Sequence, residues 1–470
     1  MSEEELPEGW AEAELGELAN IVGGGTPPAK ESANFCTEGG YPWLTPADLS
    51  GFEGMYVSRG ERNLTREGLA ASSAKLMPAG TVLMSSRAPI GYLAVAANEI
   101  CTNQGFKSFI CSDALQPEYV LFWLKAINHE LQEMGSGSTF AEISGGRAKE
   151  IPVQFPPLAE QRRIVEKVEA LLAQVNAARA RLAKVPTTLK RFRQSILSAA
   201  CSGRLTEDAS TREPWEDTSL GELVESSFYG PRFSDDDYTT DGIPTIRTSD
   251  MDREGRIVFS SPPRVHLEGA DLARLGLRDG DLLVTRTGAT IGKCAVYSAS
   301  LGPALPSAYL IRFRLKADRI LPRFALLFLM SPEGQACLTG GATATAQPNV
   351  NAKAIASFPI SVPLLEEQHE IVRRVDALFN LADAIEARVA AATARADKIT
   401  QAILAKAFRG ELVPTEAELA RQEGRDYEPA SALLARIRAA RAATPAKAST
   451  GRAGQRASGR VSSEKTGARR

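Results

Sequence analysis

The chain has 470 residues, of which 43% are hydrophobic and 24% are charged, and its formal net charge is −2. This composition supports sizeable buried cores and excludes a chain that is disordered throughout, and the length predicts two to four domains. Its 6 cysteines lie far apart without a CxxC pair, and its 3 histidines lack ligand-like neighbours, so neither a disulfide framework nor a metal site is predicted.

No segment has the pattern of a membrane span or a targeting signal. The longest apolar run, Phe324–Met330, is too short to cross a bilayer, and the start "MSEEELPEGW" is acidic. We therefore expect a soluble protein of the cytoplasm.

Most of the sequence is an internal repeat. Four phrases occur twice in the same order: "WAEAELGEL" and "WEDTSLGEL", "YPWLTPADL" and "IPTIRTSDM", "GTVLMSSRAPIGYLAV" and "GDLLVTRTGATIGKCAV", "PPLAEQRRIVEKVEALL" and "VPLLEEQHEIVRRVDALF". The last pair begins at Pro156 and Val362, and its shared Glu-Gln lies at 160–161 and again 207 residues later at 367–368. Two copies of one folding unit are predicted.

The first copy is predicted to be a globular domain at 1–157 followed by a helical region at 158–203. Within the domain, "GGGTPP" at 23–28 could approach a phosphate closely, although glycine with proline more often marks a turn. Pro186 lacks the N–H that a continuous helix needs and predicts a kink in the helical region.

The second copy is predicted to be a globular domain at 204–362 followed by a helical region at 363–414. Its "GATIGKC" at 288–294 resembles a phosphate loop but has three residues between its glycines, where a Walker loop has four. A turn between two strands is therefore predicted there.

Both helical regions have apolar residues in alternating steps of four and three, which is typical of a coiled-coil seam. The seam residues are Ile164, Val168, Leu171, Val175, Leu182, Ile371, Val375, Leu378, Ile385, Val389 and Ile399. Two ordinary amphipathic helices that pack on their own domains are the alternative, although such helices seldom need this length.

The last part of the chain divides in two. Residues 415–443 are predicted to contain a short docking helix, because Leu433, Leu434 and Ile437 share one helical face. Residues 444–470 are basic and lack an apolar period, so a disordered tail is predicted, which either attracts DNA or only adds solubility.

Connectivity predicts the direction of helix pairing. The first helix leads to the second domain through a short linker, so the second helix must run back, because a parallel pair would need a long return connection. We expect an α+β protein in which two similar domains are joined by two long antiparallel coiled-coil helices, with an approximate twofold axis. From Ile164 to Ala199 the helix would span roughly 54 Å, or at most about 16 base pairs of DNA.

The duplicated phrases "PPLAEQRRIVEKVEALLAQV" with "LKRFRQSILSAACSGRLTE", and "PLLEEQHEIVRRVDALF" with "ITQAILAKAFRGELVP", resemble the DNA-specificity (S) subunits of type I restriction-modification systems. The resemblance covers nearly the whole chain. It implies two target-recognition domains that each read half of an asymmetric DNA site. It also implies two methyltransferase (M) subunits that use S-adenosylmethionine to methylate adenine, and two ATP- and Mg²⁺-dependent nuclease (R) subunits. The C-terminal helix would then dock on an M subunit, and this chain itself would hold no cofactor.

The distribution of charge agrees only in part with a DNA-binding protein. Residues 1–157 carry 10 basic and 20 acidic side chains, whereas residues 158–203 carry 9 and 3. Because phosphate contacts dominate affinity for DNA, the first domain is expected to bind DNA weakly alone and to need a partner for part of the clamp.

Candidate base-reading residues are short donors and forked cations near predicted loops. The candidates are Thr45, Asp48, Arg87, Arg247, Asp250 and Arg286, with Lys107 and Lys293 as phosphate contacts. A plain surface role is the alternative for each of them.

Two other functions stay open. An enzyme would need a nucleophile, a metal cluster or a cofactor loop, and the sequence lacks the Asn-Pro-Pro-aromatic segment typical of adenine methyltransferases. A coiled-coil scaffold that joins proteins would show no preference for DNA sequence.

Overall fold

The structure, a computed structural model, describes residues 6–87, 89–135, 141–207, 213–252, 254–288, 290–340 and 349–443. The chain divides into two compact units. The first unit comprises Met1–Ala177 with Ala396–Arg470, and the second unit comprises Ala178–Arg395. Each unit contains one predicted globular domain and part of both predicted helical regions. The predicted tail at 444–470 lies outside the described residues.

In the described part of the first unit, short strands and helices precede one long helix. The strands are β1 (Ala11–Glu14), β2 (Ala19–Gly23), β3 (Phe35–Cys36), β4 (Tyr41–Leu44), β5 (Tyr56–Val57), β6 (Asn63–Leu64), β7 (Val82–Ser86), β8 (Ile90–Ala96), β9 (Cys101–Thr102), β10 (Phe106–Cys111) and β11 (Pro152–Phe155). The helices are α1 (Leu15–Leu18), α2 (Arg66–Ala70), α3 (Pro117–Ala126), α4 (Asn128–Glu133), α5 (Gly145–Lys149) and α6 (Leu158–Leu182). The sheets have the orders β2-β10-β7-β8-β5, β3-β6-β4-β9 and β1-β11.

The core of the first unit lies between α3 and the sheet that contains β7. Every residue of β7 is buried, and α3 begins with Pro117, which suits a first helical turn. Tyr119 and Trp123 fill the core, and their polar tips donate to backbone carbonyls at 2.7 Å. Because these donors are paired, both rings can be buried without an unsatisfied polar group.

The second unit repeats this construction. Its strands are β12 (Glu216–Ser219), β13 (Val224–Tyr229), β14 (Tyr238–Thr239), β15 (Ile243–Ile246), β16 (Arg264–Val265), β17 (Leu282–Thr285), β18 (Cys294–Val296), β19 (Leu305–Pro306), β20 (Leu310–Leu315) and β21 (Pro359–Val362). Its helices are α7 (Val185–Cys201), α8 (Gly269–Leu275), α9 (Pro322–Met330), α10 (Pro332–Gly340), α11 (Ala352–Ala356) and α12 (Leu365–Phe408), whose last turns belong to the first unit.

The sheet orders confirm the internal repeat. The second unit has β13-β20-β17-β18, β14-β16-β15-β19 and β12-β21, which match the first unit strand for strand. The first unit has one further strand, β5, which pairs in parallel with β8, whereas the corresponding sheet in the described part of the second unit ends at β18. The apolar run at Phe324–Met330 lies in α9, which is buried almost throughout, as expected of a helix that is hydrophobic on all sides.

The first helical region is interrupted where proline predicts a break. α6 ends at Leu182 and α7 begins at Val185, with Pro186 in the first turn of α7. A missing N–H costs nothing there, because the first turn has no intrahelical acceptors for its N–H groups. α12 is continuous over 44 residues.

The long helices pair in opposite directions. In the first unit, the start of α6 and the end of α12 share one core, with Val168 and Ile403 among its members. In the second unit, the end of α7 and the start of α12 share another core, with Ile196 and Val375 among its members. The start of the first helical region packs against the end of α12, and its end packs against the start of α12. The two helical regions are therefore antiparallel, as the connectivity predicts.

Burial along the predicted seam is graded. Ile164, Val168, Ile371 and Val375 are buried. The half-buried members are Leu171, Val175, Leu182, Leu378, Ile385 and Val389. Ile399 is 43% exposed and lies outside the buried contact. Burial is greatest toward the helix ends because these also pack against the sheet-bearing body of their own unit.

The C-terminal segment folds back on the first unit as α13 (Glu416–Glu423) and α14 (Ala430–Ala443). Leu434 is buried in the core of that unit, and Arg438 forms an ion pair with Glu17 at 2.6 Å. This chain itself covers the apolar face of this helix, and docking of the helix on an M subunit stays a prediction. No described helix is both long and apolar enough to cross a membrane.

Candidate nucleic-acid interface

A buried carboxylate fixes the first turn of α6. Glu160 is fully buried, and its two oxygens accept from the indole N–H of Trp10 at 2.8 Å and the backbone N–H of Glu416 at 2.7 Å. Arg163 and Arg425 pair with the Glu416 carboxylate. Burial raises the pKa of Glu160, because its charged form loses hydration. The start of the chain, α6 and the segment after α12 meet at this carboxylate.

The second unit has the same arrangement at Glu367. Its oxygens accept from the indole N–H of Trp215 at 3.2 Å and the Thr206 hydroxyl at 2.7 Å. Glu367 follows Glu160 by 207 residues, so it is the structural equivalent. The neighbouring Glu366, an obvious first-turn acid in the sequence, is exposed.

The glutamine that follows each carboxylate holds the loop before the core helix. Gln161 is fully buried, accepts from Gln116 N at 2.9 Å, and donates to the carbonyls of Ala114 and Pro156 at 2.8 and 2.9 Å. Gln368 makes the same three kinds of contact with Leu321, Arg319 and Pro363. The repeated phrase therefore orients each globular body on its helix. The sequence signal for this arrangement is a Trp that recurs after 205 residues and a Glu-Gln pair that recurs after 207 residues.

In the first unit, Thr45 and Asp48 form a capping box at the end of β4. Asp48 accepts from Thr45 N at 2.7 Å and Thr45 Oγ1 at 2.6 Å, and from Glu61 N at 2.8 Å. These bonds occupy the Asp48 carboxylate and shape the loop. Any DNA contact at this cap must come from its partly exposed edge.

The equivalent cap in the second unit uses a cation. Arg247 stands where the first unit has Thr45, and its guanidinium donates to both oxygens of Asp250 at 3.1 Å. It also donates to the carbonyls of Ser260 and Ser261 at 3.0 and 3.2 Å. Asp250 is buried, so this pair mainly stabilises the loop.

The two lysine candidates and Arg87 also have partners within the chain. Lys107 contacts Glu142 and Ser86 at 3.2 Å, and Arg87 lies 3.6 Å from Glu142. Lys293 donates to the carbonyls of Thr248 and Met251 at 3.2 and 2.9 Å. Both lysines hold loops together, and Lys107 lies largely out of solvent.

Arg286 differs from these candidates. Its guanidinium carbon lies 4.9 Å from the centre of the Tyr229 ring. Among the described residues, its side chain has no hydrogen-bond or ion-pair partner, and its Nε is buried. The sequence does not predict Tyr229 and the exposed Tyr309 as site residues, because nothing in it places them beside Arg286.

The two glycine-rich phrases have different local structures: "GGGTPP" runs from the end of β2 into irregular backbone, whereas the described residues 290–292 of "GATIGKC" form a turn. A Cβ on Gly24 would lie 2.0 Å from the Asn103 carbonyl oxygen, and one on Gly25 would lie 2.3 Å from Ala74 N. Glycine is needed there for close packing of this chain on itself. The "GATIGKC" phrase connects β17 to β18, which confirms the predicted turn.

Equivalent backbone positions carry different side chains in the two units. Ser86 N donates to Gly105 O, and Arg286 N donates to Tyr309 O in the same place of the second unit. Arg87 and Thr287 each form the bridge that follows. One scaffold thus presents two different sets of hydrogen-bonding groups.

No group of His, Cys, Asp and Glu side chains among the described residues is arranged to hold a metal ion. The described cysteines are free, and two of them, Cys101 and Cys294, are buried. Burial raises the pKa of the Cys101 thiol to about 11, so it is a poor nucleophile at neutral pH.

Comparisons with known proteins agree with this duplicated architecture. The family model of the type I restriction modification DNA specificity domain matches residues 7–187 and 212–392. The type I restriction enzyme StySPI specificity subunit of Salmonella potsdam is 30% identical over 468 residues, 95% of this chain and 98% of the relative. The EcoKI specificity subunit of Escherichia coli strain K12 is 31% identical over 470 residues, with the same coverage of 95% and 98%.

Two solved structures share the fold. The HsdS subunit from Thermoanaerobacter tengcongensis has a TM-score of 0.57 and 22% identity, covering 87% of this chain and 99% of that chain. A chain from a structure concerned with complex assembly and conformational transition of the type I R-M system has a TM-score of 0.69 and 21% identity, covering 87% and 100%.

Two matching α+β units on paired helices define a protein with duplicated recognition domains. The chain belongs to the family of type I restriction-modification DNA specificity subunits.

Proposed function

We propose that this chain selects the DNA sequence on which a type I restriction-modification complex acts. Each unit reads one half of a bipartite site, and the helices set the length of the unread DNA between the halves. The observation that carries this proposal is the shared scaffold with different side chains at equivalent positions, such as Arg286 where the first unit has the buried Ser86. Two readers that differ in this way would recognise an asymmetric site.

The complex would also contain two M subunits and two R subunits in the cytoplasm. In this proposal M subunits use S-adenosylmethionine to methylate adenine, R subunits use ATP and Mg²⁺, and this chain supplies no catalytic group. The excess of 10 acidic side chains in residues 1–157, with 20 acidic against 10 basic, supports a shared clamp, because that domain alone attracts phosphates poorly.

An exchange of domains tests the proposal. The full chain is produced with its methyltransferase partner, and residues 1–157 are replaced by the equivalent region of a relative. Mapping of methylated adenines in the host genome should then show one half-site changed and the other retained. The matched exchange of residues 204–362 should alter the other half-site. A complex that methylates or binds DNA without sequence preference would favour a protein-joining scaffold and overturn the proposal.

A further inference from the structure

The sequence predicts five cations as DNA contacts, and Arg286 is the one that lacks a polar partner among the described residues. Arg87, Lys107, Arg247 and Lys293 each bind a carboxylate or a carbonyl of this chain. Among the described residues, the Nε of Arg286 is buried without a hydrogen-bond partner, and its terminal nitrogens do not belong to the buried unpaired atoms. Because no described group of this chain occupies its terminal N–H donors, the Arg286 guanidinium is free to bind an external partner.

The position of Arg286 is fixed from several sides. Its backbone N–H donates to Tyr309 O at 3.0 Å, and its carbonyl accepts from Val350 N at 2.9 Å. Its guanidinium lies over the ring of Tyr229, whose hydroxyl accepts from Ala352 N at 2.9 Å. The cation is therefore held in place by stacking and by backbone bonds.

Two partly exposed tyrosines belong to the same part of the sheet: Tyr229 stacks on the cation, and the Tyr309 carbonyl accepts from the Arg286 backbone N–H. Tyr229 is 40% exposed and Tyr309 is 57% exposed. Arg286 follows the last residue of β17, while Tyr229 ends β13 and Tyr309 precedes β20. Three adjacent strands of one sheet thus bring Tyr229, the Arg286 guanidinium and Tyr309 to one edge of that sheet.

The first unit has none of these groups at the equivalent positions. The pairing of Gly23 with Lys107 corresponds to that of Tyr229 with Ile311. Gly105 stands in the place of Tyr309, and the hydroxyl of the fully buried Ser86 donates to Gly105 O at 3.1 Å. The cluster is specific to the second unit.

We propose that Arg286, stacked on Tyr229, reads a guanine in the DNA half-site of the second unit. The inference rests on the proposed function. The two terminal N–H groups of arginine match the N7 and O6 acceptors of guanine in the major groove, a pattern that the other bases do not present. The fixed plane of the guanidinium suits a bidentate contact with a base edge. Because an arginine can bind a phosphate in the same way, the variants below separate the two contacts. The first unit uses other groups to read its half-site.

The test uses the full chain in complex with its methyltransferase partner. Methylome mapping of the wild-type complex first defines the bipartite site, and domain exchange assigns one half to the second unit. Binding is then measured on duplexes in which each guanine of that half-site is replaced, in turn, by 7-deazaguanine. One replacement should weaken wild-type binding substantially, because it removes the N7 acceptor.

Arg286→Gln and Arg286→Lys separate base reading from phosphate contact. Arg286→Gln should lose roughly 5- to 150-fold in discrimination at that one base pair, and Arg286→Lys should lose less, because an ammonium can still donate to N7 or O6. Arg286→Gln should respond less than the wild type to 7-deazaguanine there. The other half-site should be unchanged. Arg274→Gln removes an exposed, ion-paired arginine of the same unit and serves as the charge control, with no change expected at any base. Thermal melts check that all variants fold.

Three outcomes would overturn the inference. A second half-site without a G·C pair would exclude a guanine. A uniform loss of affinity for all sequences, restored by lysine, would assign Arg286 to a phosphate. Variants that keep the wild-type site would show no role in reading. In each case the wild-type complex still has a bipartite site, whereas a wild-type complex without sequence preference would overturn the proposed function as well.

Discussion

Glu160 and Glu367 occupy equivalent positions but face different donors. The indole N–H of Trp10 and the backbone N–H of Glu416 can only donate to Glu160. Glu160→Gln would leave one buried N–H without an acceptor, so it should cost the first unit about 1–3 kcal/mol at neutral pH. The Thr206 hydroxyl beside Glu367 can turn and accept from an amide, so Glu367→Gln should cost under about 1 kcal/mol. Hydrogen exchange resolves the stability of each unit separately, and equal losses would contradict this explanation.

Glu160 also gives the first unit a pH dependence. Burial raises its pKa above the ordinary 4.5, so the folded state holds the proton more tightly than the unfolded state. Its contribution to stability is fully present below pH 4.5 and is lost as pH rises through the folded-state pKa. Glu160→Gln cannot titrate, so stability of the first unit should fall less over this range than in the wild type. Urea denaturation at successive pH values, followed by hydrogen exchange, measures the difference. Identical pH profiles would assign the dependence to another group.

At the scale of elements, the effect of proline on the helices can be tested at two equivalent positions, Pro186 and Thr393. Pro186 lies in the first turn of α7, whereas Thr393, 207 residues later, lies inside the continuous α12. Thr393→Pro should cost about 3 kcal/mol, because proline removes an interior hydrogen bond and clashes with the preceding turn. Pro186→Ala should change stability by under about 1 kcal/mol, because no bond is missing there. Circular dichroism with chemical denaturation measures both. A similar loss for the two variants would show that the interruption after α6 is not set by proline.

The sequence predicts the elements better than the contacts between them. Duplicated phrases predict two copies of one unit, and steps of four and three predict the long helices, because both are local patterns. The burial of Glu160 is not local, since it depends on Trp10 and Glu416 at opposite ends of the chain. The apolar face of α14 is visible in the sequence, but the surface that covers it is not. For the same reason, the sequence predicts both Arg286 and Lys293 as DNA contacts, and only the packing shows that Lys293 has partners within this chain.

At the scale of the whole molecule, the proposed function makes the helices the ruler of the recognised site. Seven residues inserted into both α6 and α12, continuing the steps of four and three, would keep the apolar face in register. They would lengthen each helix by roughly 10 Å, or about 3 base pairs of DNA. The unread gap should therefore widen by up to about 3 base pairs while both half-sites keep their bases. Methylome mapping of the complex measures the gap and the bases together.

The same insertion in α6 alone is the control. Starts of one helix meet ends of the other within each unit, so unequal helices cannot satisfy the cores of both units together. This variant should lose methylation rather than gain a wider gap. Changed bases with an unchanged gap in the double insertion would contradict the role of the helices as a ruler. It would locate base reading in the helices instead of the units, since only the helices differ between that variant and the wild type.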